Sequence, residues 1–219
     1  MSDQNLARYW DQRSKTWSGI PEPLKPTDED ISVFNVMLSK YSKTNSDALI
    51  LGATPKLYTL DQGLERVCVD ISQSMILENH NENVRFVQGN WLHMPFIPSS
   101  SIGYVVGDGV LTLLKFREQY EMFFKELHRV MELGAVFIVR VFARSIHLAL
   151  LQGNEHVDRF KGYMAKSEDN LVVDHEFDIT YSFPDLIDVI DIAAEWFPLM
   201  AIEFPHGNVN FPILCFVKS

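Results

Sequence analysis

From Ala48 to Phe142 the chain alternates short apolar runs with amphipathic ones, and no other feature of the sequence restricts its fold as tightly. The apolar runs Ala48–Leu51, Val67–Asp70, Val84–Gln88, Ile102–Gly107 and Ala135–Phe142 read as strands. Lys56–Leu64, Gln73–Asn79 and Glu118–Glu132 read as the helices between them. In the last of these, Met122, Phe123, Leu127, Val130 and Met131 recur at helical spacing, which marks a packing face, and Gly134 is placed to close the helix. Strand–helix–strand units in series build a mainly parallel sheet. The expected class is α/β, a Rossmann-like doubly wound sheet.

The flanks differ in character. At the start, "YWDQRSKTW" concentrates aromatic and charged residues, "IPEPLKP" reads as an extended connection, and "TDEDISVFNVMLSKY" sets Thr27 three residues before Asp30 as a capped helix does. This segment is expected to be an appendage packed on the core. Ser145–Asp169 reads as helical connections and a loop. Further on, "SFPDLIDVIDIAAEWF" places Ser182 three residues before Asp185, a second capping pattern with Pro184 inside it. "LMAIEF" and "PILCFVKS" then read as two strands joined around Pro205–Phe211, with "HGN" supplying the turn of a closing hairpin.

Composition narrows the function classes. With 219 residues, 47% of them apolar and 22% charged, the chain suits one sizeable core rather than two domains. Its longest apolar runs, such as Gly134–Ala143, are broken by charge and fall short of the ~20 residues of a membrane helix. The first residues lack the apolar centre of a secretion signal, so a cytoplasmic protein is expected, monomeric or homodimeric. Cys68 and Cys215 sit in strand-like runs as small hydrophobes, and without paired ligand spacing they predict no metal site. A formal net charge of −10 disfavours phosphate backbones and points to small-molecule partners rather than nucleic acid.

In an open parallel sheet a ligand lies beyond the carboxyl ends of the strands. Gly52 ends the first strand, where a glycine lets backbone approach a ligand and the next helix offers free N–H groups. Asp70 ends the second strand, 18 residues further on, near the ~20 expected of an acid that accepts hydrogen bonds from ribose hydroxyls. Asn90 follows the third strand and can pair with an adenine edge, between apolar walls from Ile71, Trp91 and Met94. After the fourth strand Asp108 stands between two glycines, Gly107 and Gly109, facing the reacting group or its substrate.

These residues resemble the class I S-adenosylmethionine-dependent methyltransferases. The resemblance is carried by "ALILGATPKL", "ERVCVDISQSMI", "VRFVQGNWLHMPF", "IGYVVGDGVLTLL" and "FFKELHRVMELGAVFIVRVF", in the family's order from Ser46 to Phe142. It implies a seven-stranded sheet whose last strand is antiparallel, and S-adenosylmethionine as cofactor with S-adenosylhomocysteine as product. Residues 1–44 would form a helical appendage or lid, 45–143 the cofactor-binding core, and 144–219 the substrate side and the hairpin. The implied cofactor residues are Gly52, Ala53, Thr54, Asp70, Ile71, Met75, Asn90, Trp91, Asp108 and Gly109. The first turn departs from the family pattern: Ile50 stands where an acid is usual, and Thr54 and Lys56 where glycines are common. It resembles a subgroup with a "GATP"-type turn, in which Thr54, with Arg13 or Lys56, would hold the methionine carboxylate.

Methyl transfer from a sulfonium needs alignment and exclusion of water more than a nucleophilic triad, and none is visible. If a base is used, His93 and Asp108 are the candidates nearest the cofactor edge; Tyr9, Trp10 and Trp17 are candidates for a lid. Two alternatives stay open: a non-catalytic S-adenosylmethionine- or nucleoside-binding protein, and an NAD-dependent oxidoreductase, whose glycine-rich turn is missing here.

Overall fold

The computed structural model describes residues 3–43, 46–60, 65–115, 117–143, 171–174, 179–205 and 211–219, the short strands 171–174 and 179–182 by their backbone. Seven strands form one sheet: β1 (Asp47–Leu51), β2 (Arg66–Asp70), β3 (Arg85–Gln88), β4 (Ile102–Asp108), β5 (Met131–Arg140), β8 (Leu199–Glu203) and β9 (Ile213–Val217), in the order β3-β2-β1-β4-β5-β9-β8. The first five are mutually parallel, and β9 runs antiparallel to both neighbours. The predicted strands all form, and the closing antiparallel pair is present. Its predicted "HGN" turn lies outside the described residues. So does the predicted loop Ser145–Asp169, after which β6 (Leu171–Asp174) and β7 (Ile179–Ser182) pair as a separate antiparallel ribbon.

Both faces of the sheet are buried because successive side chains of a strand point opposite ways and each face meets helices. On one side Leu49, Leu51, Val105, Phe137 and Phe216 pack under α4 (Glu118–Val130) and α5 (Leu186–Ala193). On the other, Ala48, Ile50, Cys68, Tyr104 and Ile138 pack against Phe34, Met37 and Leu38 of α2 (Asp28–Tyr41). The α2 start is the predicted capping box: Thr27 Oγ1 accepts from Asp30 N at 3.0 Å while Asp30 Oδ2 accepts from Thr27 N at 2.7 Å. Both cysteines are buried and free, as small hydrophobes. Among the described residues no helix is long and apolar enough to cross a membrane.

Three local expectations are corrected. The helix expected over Lys56–Leu64 is a single 3₁₀ turn at Pro55–Thr59, held by burial of Leu57 and Tyr58; residues 61–64 lie outside the described set. Gly134 does not close α4, which ends at Val130. The chain turns straight into β5 there, and Gly134, at φ +84°, lets its own N–H reach Lys218 O at 2.8 Å. Finally, the helix start lies beyond the predicted cap: Ser182 belongs to β7, and α5 starts after Asp185, which makes no side-chain cap bond. Pro184 keeps Phe183 out of helical backbone, because the residue before a proline avoids it.

The N-terminal segment is ordered as α1 (Asp3–Arg13), a 3₁₀ turn Ser14–Gly19 and an extended stretch leading to α2. Helix α1 packs on α3 (Gln73–Glu78), beyond the carboxyl end of β2.

Candidate functional site

The carboxyl ends of β1, β2 and β4 open onto one cavity, of about 80 Å³. Gly52, Ala53, Thr54, Asp70, Ile71, Met75, Asn90, Trp91 and Asp108 line it. Its roof comes from the N-terminal segment: Asp3, Leu6, Trp10 and Trp17 all face it, Trp10 and Trp17 meeting edge to face at 6.0 Å. That roof explains the small volume, which lies below the ~300–1,000 Å³ that enclose a small ligand.

Asp70 is the most constrained group in the site. Its side chain comes off the last residue of β2, buried, with Oδ2 accepting from Ala53 N at 2.8 Å and Oδ1 from Ser72 N at 2.8 Å. Burial pushes its pKa up to about 6, against those N–H groups, which favour the charged form, while the Asp11 carboxylate adds to the rise. Each carboxylate oxygen keeps a second lone pair, so the group can still accept from a diol in the cavity.

The first turn works differently from the expectation. Gly52, at φ +88°, has the left-handed backbone that favours glycine, and a Cβ there would lie 3.6 Å from the Trp91 ring and 3.9 Å from Asp70 Oδ2. Yet the N–H groups meant for a ligand are engaged within the protein: Gly52 N donates to Val69 O, Ala53 N to Asp70 and Thr54 N to Gly52 O. A 3₁₀ turn in place of a helix leaves this rim few free donors. Thr54 lines the cavity, whereas its two proposed cationic partners do not. Arg13 donates to Tyr9 Oη at 3.0 Å, and Lys56 is paired with Glu22 and Asp28 at 2.6 and 2.8 Å.

After β3, Trp91 is held by its Nε1 donating to Val69 O at 2.7 Å, which turns its ring along the cavity wall beside Gly52. Asn90 is less free than expected: Nδ2 donates to both oxygens of Asp3 at 3.0 Å and Oδ1 accepts from Leu92 N. Met94 is not a wall at all. It is fully buried in the core under α4, its N–H bonded to Glu126, whose carboxylate is clamped by Arg129.

The two candidate bases are placed differently. His93 is exposed, bridged through its backbone to Asn90, and does not line the cavity. Asp108 does line it, but its Oδ1 accepts from Arg140 Nε at 2.6 Å inside a buried pair. Burial raises the Asp108 pKa and Arg140 opposes the rise. The guanidinium holds the carboxylate in one orientation. Gly109 (φ +64°) is structural: a Cβ there would sit 3.2 Å from the Phe142 ring, and its N–H closes onto Arg140 O.

The sequence did not suggest Asp11. Its Oδ1 accepts from Ser72 Oγ at 2.6 Å and Ser74 N at 3.1 Å, pinning α1 to the start of α3. Burial works against its charge, but the bonds from Ser72 and Ser74 outweigh it and leave the pKa lowered. Leu113, Leu114 and Gln119 also reach the cavity, from the turn after β4 and the start of α4. A carboxylate in a polar N-terminal helix carries no distinguishing local signal; only docking reveals its partner.

Residues 51–139, 89 of the 219, match a family model described as a methyltransferase domain. No curated protein matches the chain. Among solved structures it is similar to the CcbJ methyltransferase of Streptomyces caelestis, with 14% identity, 100% of each chain covered and TM-score 0.68. It is also similar to the 1,6-didemethyltoxoflavin-N1-methyltransferase of Burkholderia thailandensis, solved with its substrate and S-adenosylhomocysteine, with 14% identity, 99% of this chain and 88% of that one covered, and TM-score 0.66. For the PH0226 protein of Pyrococcus horikoshii OT3 the figures are 21% identity, 86% and 89% covered, and TM-score 0.64. At such identities these likenesses establish the fold. The matched segment, which runs from the last residue of β1 into β5 and carries most of the cavity's lining, is similar to a methyltransferase domain.

Proposed function

We propose that the chain methylates a small molecule, in a site closed by its N-terminal segment. The observation that carries this reading is the roof of Leu6, Trp10 and Trp17 over the cavity at the strand ends. A site reached only beneath such a cover suits an acceptor that can be enclosed with the cofactor, and the net charge of −10 weighs against a nucleic-acid acceptor. The Burkholderia thailandensis neighbour, whose name specifies a small heterocycle, is consistent with it.

The residues present suit the cofactor. Asp70 would accept the ribose hydroxyls, Ile71, Met75 and Trp91 would flank the adenine with Asn90 at its edge, and Gly52, Ala53 and Thr54 would pass beneath the sugar and thioether. Asp108 would face the amino-acid end. Bound S-adenosylmethionine supplies a methyl group already activated by its sulfonium. The chain's own contribution is to orient the acceptor, exclude water and leave the acceptor's proton to solvent or to the acceptor itself, since His93 does not line the cavity and Asp108 is paired with Arg140. The N-terminal segment acts as a lid, because a cavity of about 80 Å³ admits the cofactor only when Trp10 and Trp17 move.

The test is to incubate the protein with methyl-labelled S-adenosylmethionine and a whole-cell extract and then separate the products by mass. Label in the low-mass fraction is the expected result. Label confined to protein or nucleic acid would overturn the small-molecule assignment.

A further inference from the structure

Arg140, the last residue of β5, is fully buried between two carboxylates. Its Nε donates to Asp108 Oδ1 at 2.6 Å, its Nη1 lies 3.5 Å from Asp30 Oδ2 and donates to Pro23 O at 2.8 Å. Among the described residues Nη2 has no hydrogen-bond partner, and the guanidinium lies 5.3 and 5.2 Å from the rings of Phe142 and Phe211. An unmatched buried donor destabilises a fold, and apolar side chains of like volume often replace buried ion pairs without loss. One guanidinium facing two carboxylates also leaves the group with a formal excess of negative charge. Packing alone gives no reason for this arrangement; its position against the cavity does.

The cavity's carboxylates are not equivalent. Both Asp70 oxygens accept backbone N–H groups, and both Asp3 oxygens accept from Asn90. Asp108 gives one oxygen to Arg140, and among the described residues its Oδ2 accepts nothing. No lysine or arginine among the described residues lines the cavity. The methionine end of the cofactor carries an ammonium, and Asp108 Oδ2 is the acceptor left to receive it.

Resting on the cofactor assignment above, we propose that Arg140 is a positioning residue: it fixes the Asp108 carboxylate so that its second oxygen binds the ammonium of the cofactor's amino-acid end. Arg140 itself touches no ligand. It acts through Asp108, and its bonds to Pro23 and Asp30 make the same side chain an anchor for the segment that leads from the lid to α2.

Calorimetry on the full chain with two ligands separates this role from a merely structural one: S-adenosylhomocysteine, and 5′-methylthioadenosine, which keeps the nucleoside and sulfur but lacks the amino-acid end. Arg140→Met and Asp108→Asn should each weaken S-adenosylhomocysteine by about tenfold or more while leaving 5′-methylthioadenosine within about twofold. Arg140→Lys, which keeps the charge but not the fork that reaches Asp108 and Pro23 together, should also weaken S-adenosylhomocysteine more than 5′-methylthioadenosine. Equal losses for the two ligands, or unchanged S-adenosylhomocysteine affinity in Asp108→Asn, would overturn the proposal. If Arg140→Met does not fold, the near-isosteric Asp108→Asn decides the question by the same ratio. A wild-type chain that binds neither ligand removes the cofactor assignment, and with it this proposal.

Discussion

Among single residues, Asp70 carries the heaviest constraint, because a carboxylate accepts a pair of hydroxyl hydrogen bonds most strongly when charged and burial opposes that charge. With its pKa pushed up to about 6, the free protein holds Asp70 largely protonated below that value. Affinity for S-adenosylhomocysteine should therefore fall as pH drops below about 6, approaching tenfold per unit. Asp70→Asn should bind more weakly at pH 7.5 and show no such dependence between pH 5 and 7.5. Calorimetry across that range checks both, and a flat wild-type profile would remove Asp70 from the binding step. The sign for folding is the opposite of the sign for binding. A folded pKa above the ordinary 3.8 means that the protonated form stabilises the fold, a contribution present below about 3.8 and lost as pH rises through about 6. Asp70 was legible in the sequence because its position, a strand end at a set distance from a glycine turn, is a local property. The exposure of His93 and the pairing of Asp108 with Arg140, 32 residues further along, were not legible, because proximity in sequence to a rim says nothing about either.

At the scale of elements, α1 and α3 hold one another. Helix α3 has only six residues and would be marginal alone, yet its first turn receives Ser72 Oγ on Met75 N and the Asp11 carboxylate on Ser72 and Ser74. The same contact keeps α1 over the cavity, with Asp3 bonded to Asn90 near its other end. Asp11→Ala should release the segment: association of S-adenosylhomocysteine by stopped flow should speed up several-fold, with stability lowered by about 1 kcal/mol, the scale of a lost helix cap. An unchanged association rate would mean that the segment does not gate entry. The capped start of α2 was legible because Thr27 and Asp30 are three residues apart and satisfy each other. The docking of α1 was not, since Asp11 and Ser72 are 61 residues apart and meet only because the sheet order places β2 beside the segment's path.

At the scale of the whole molecule, the sheet is held by two apolar layers of unequal make-up. The layer under α4 and α5 is rich in phenylalanine: the ring of Phe124 meets those of Phe123, Phe137, Phe197 and Phe216 at 5.5 to 6.4 Å. These four partners come from α4, β5, the turn after α5 and β9, so one ring joins the parallel half of the sheet to its antiparallel end. Phe124→Ala should destabilise the protein by about 3–5 kcal/mol, read from the urea midpoint at unchanged slope. A loss below about 1 kcal/mol would show that the layer repacks around the gap.

The order of the strands, the parallel class of the sheet, the antiparallel close and the acid at the end of β2 could all be read along the chain. Each follows from periodicity, turn residues or short spacings, which act between neighbours along the chain. Only the tertiary structure decided which carboxylate is free and which is neutralised, that the first-turn N–H groups are consumed within the protein, that Met94 is core, and that the N-terminal helix roofs the cavity. Those facts depend on groups far apart in sequence, brought within hydrogen-bond reach by burial. The energies that settle them, desolvation and ion pairing, have no value until the fold sets the distances.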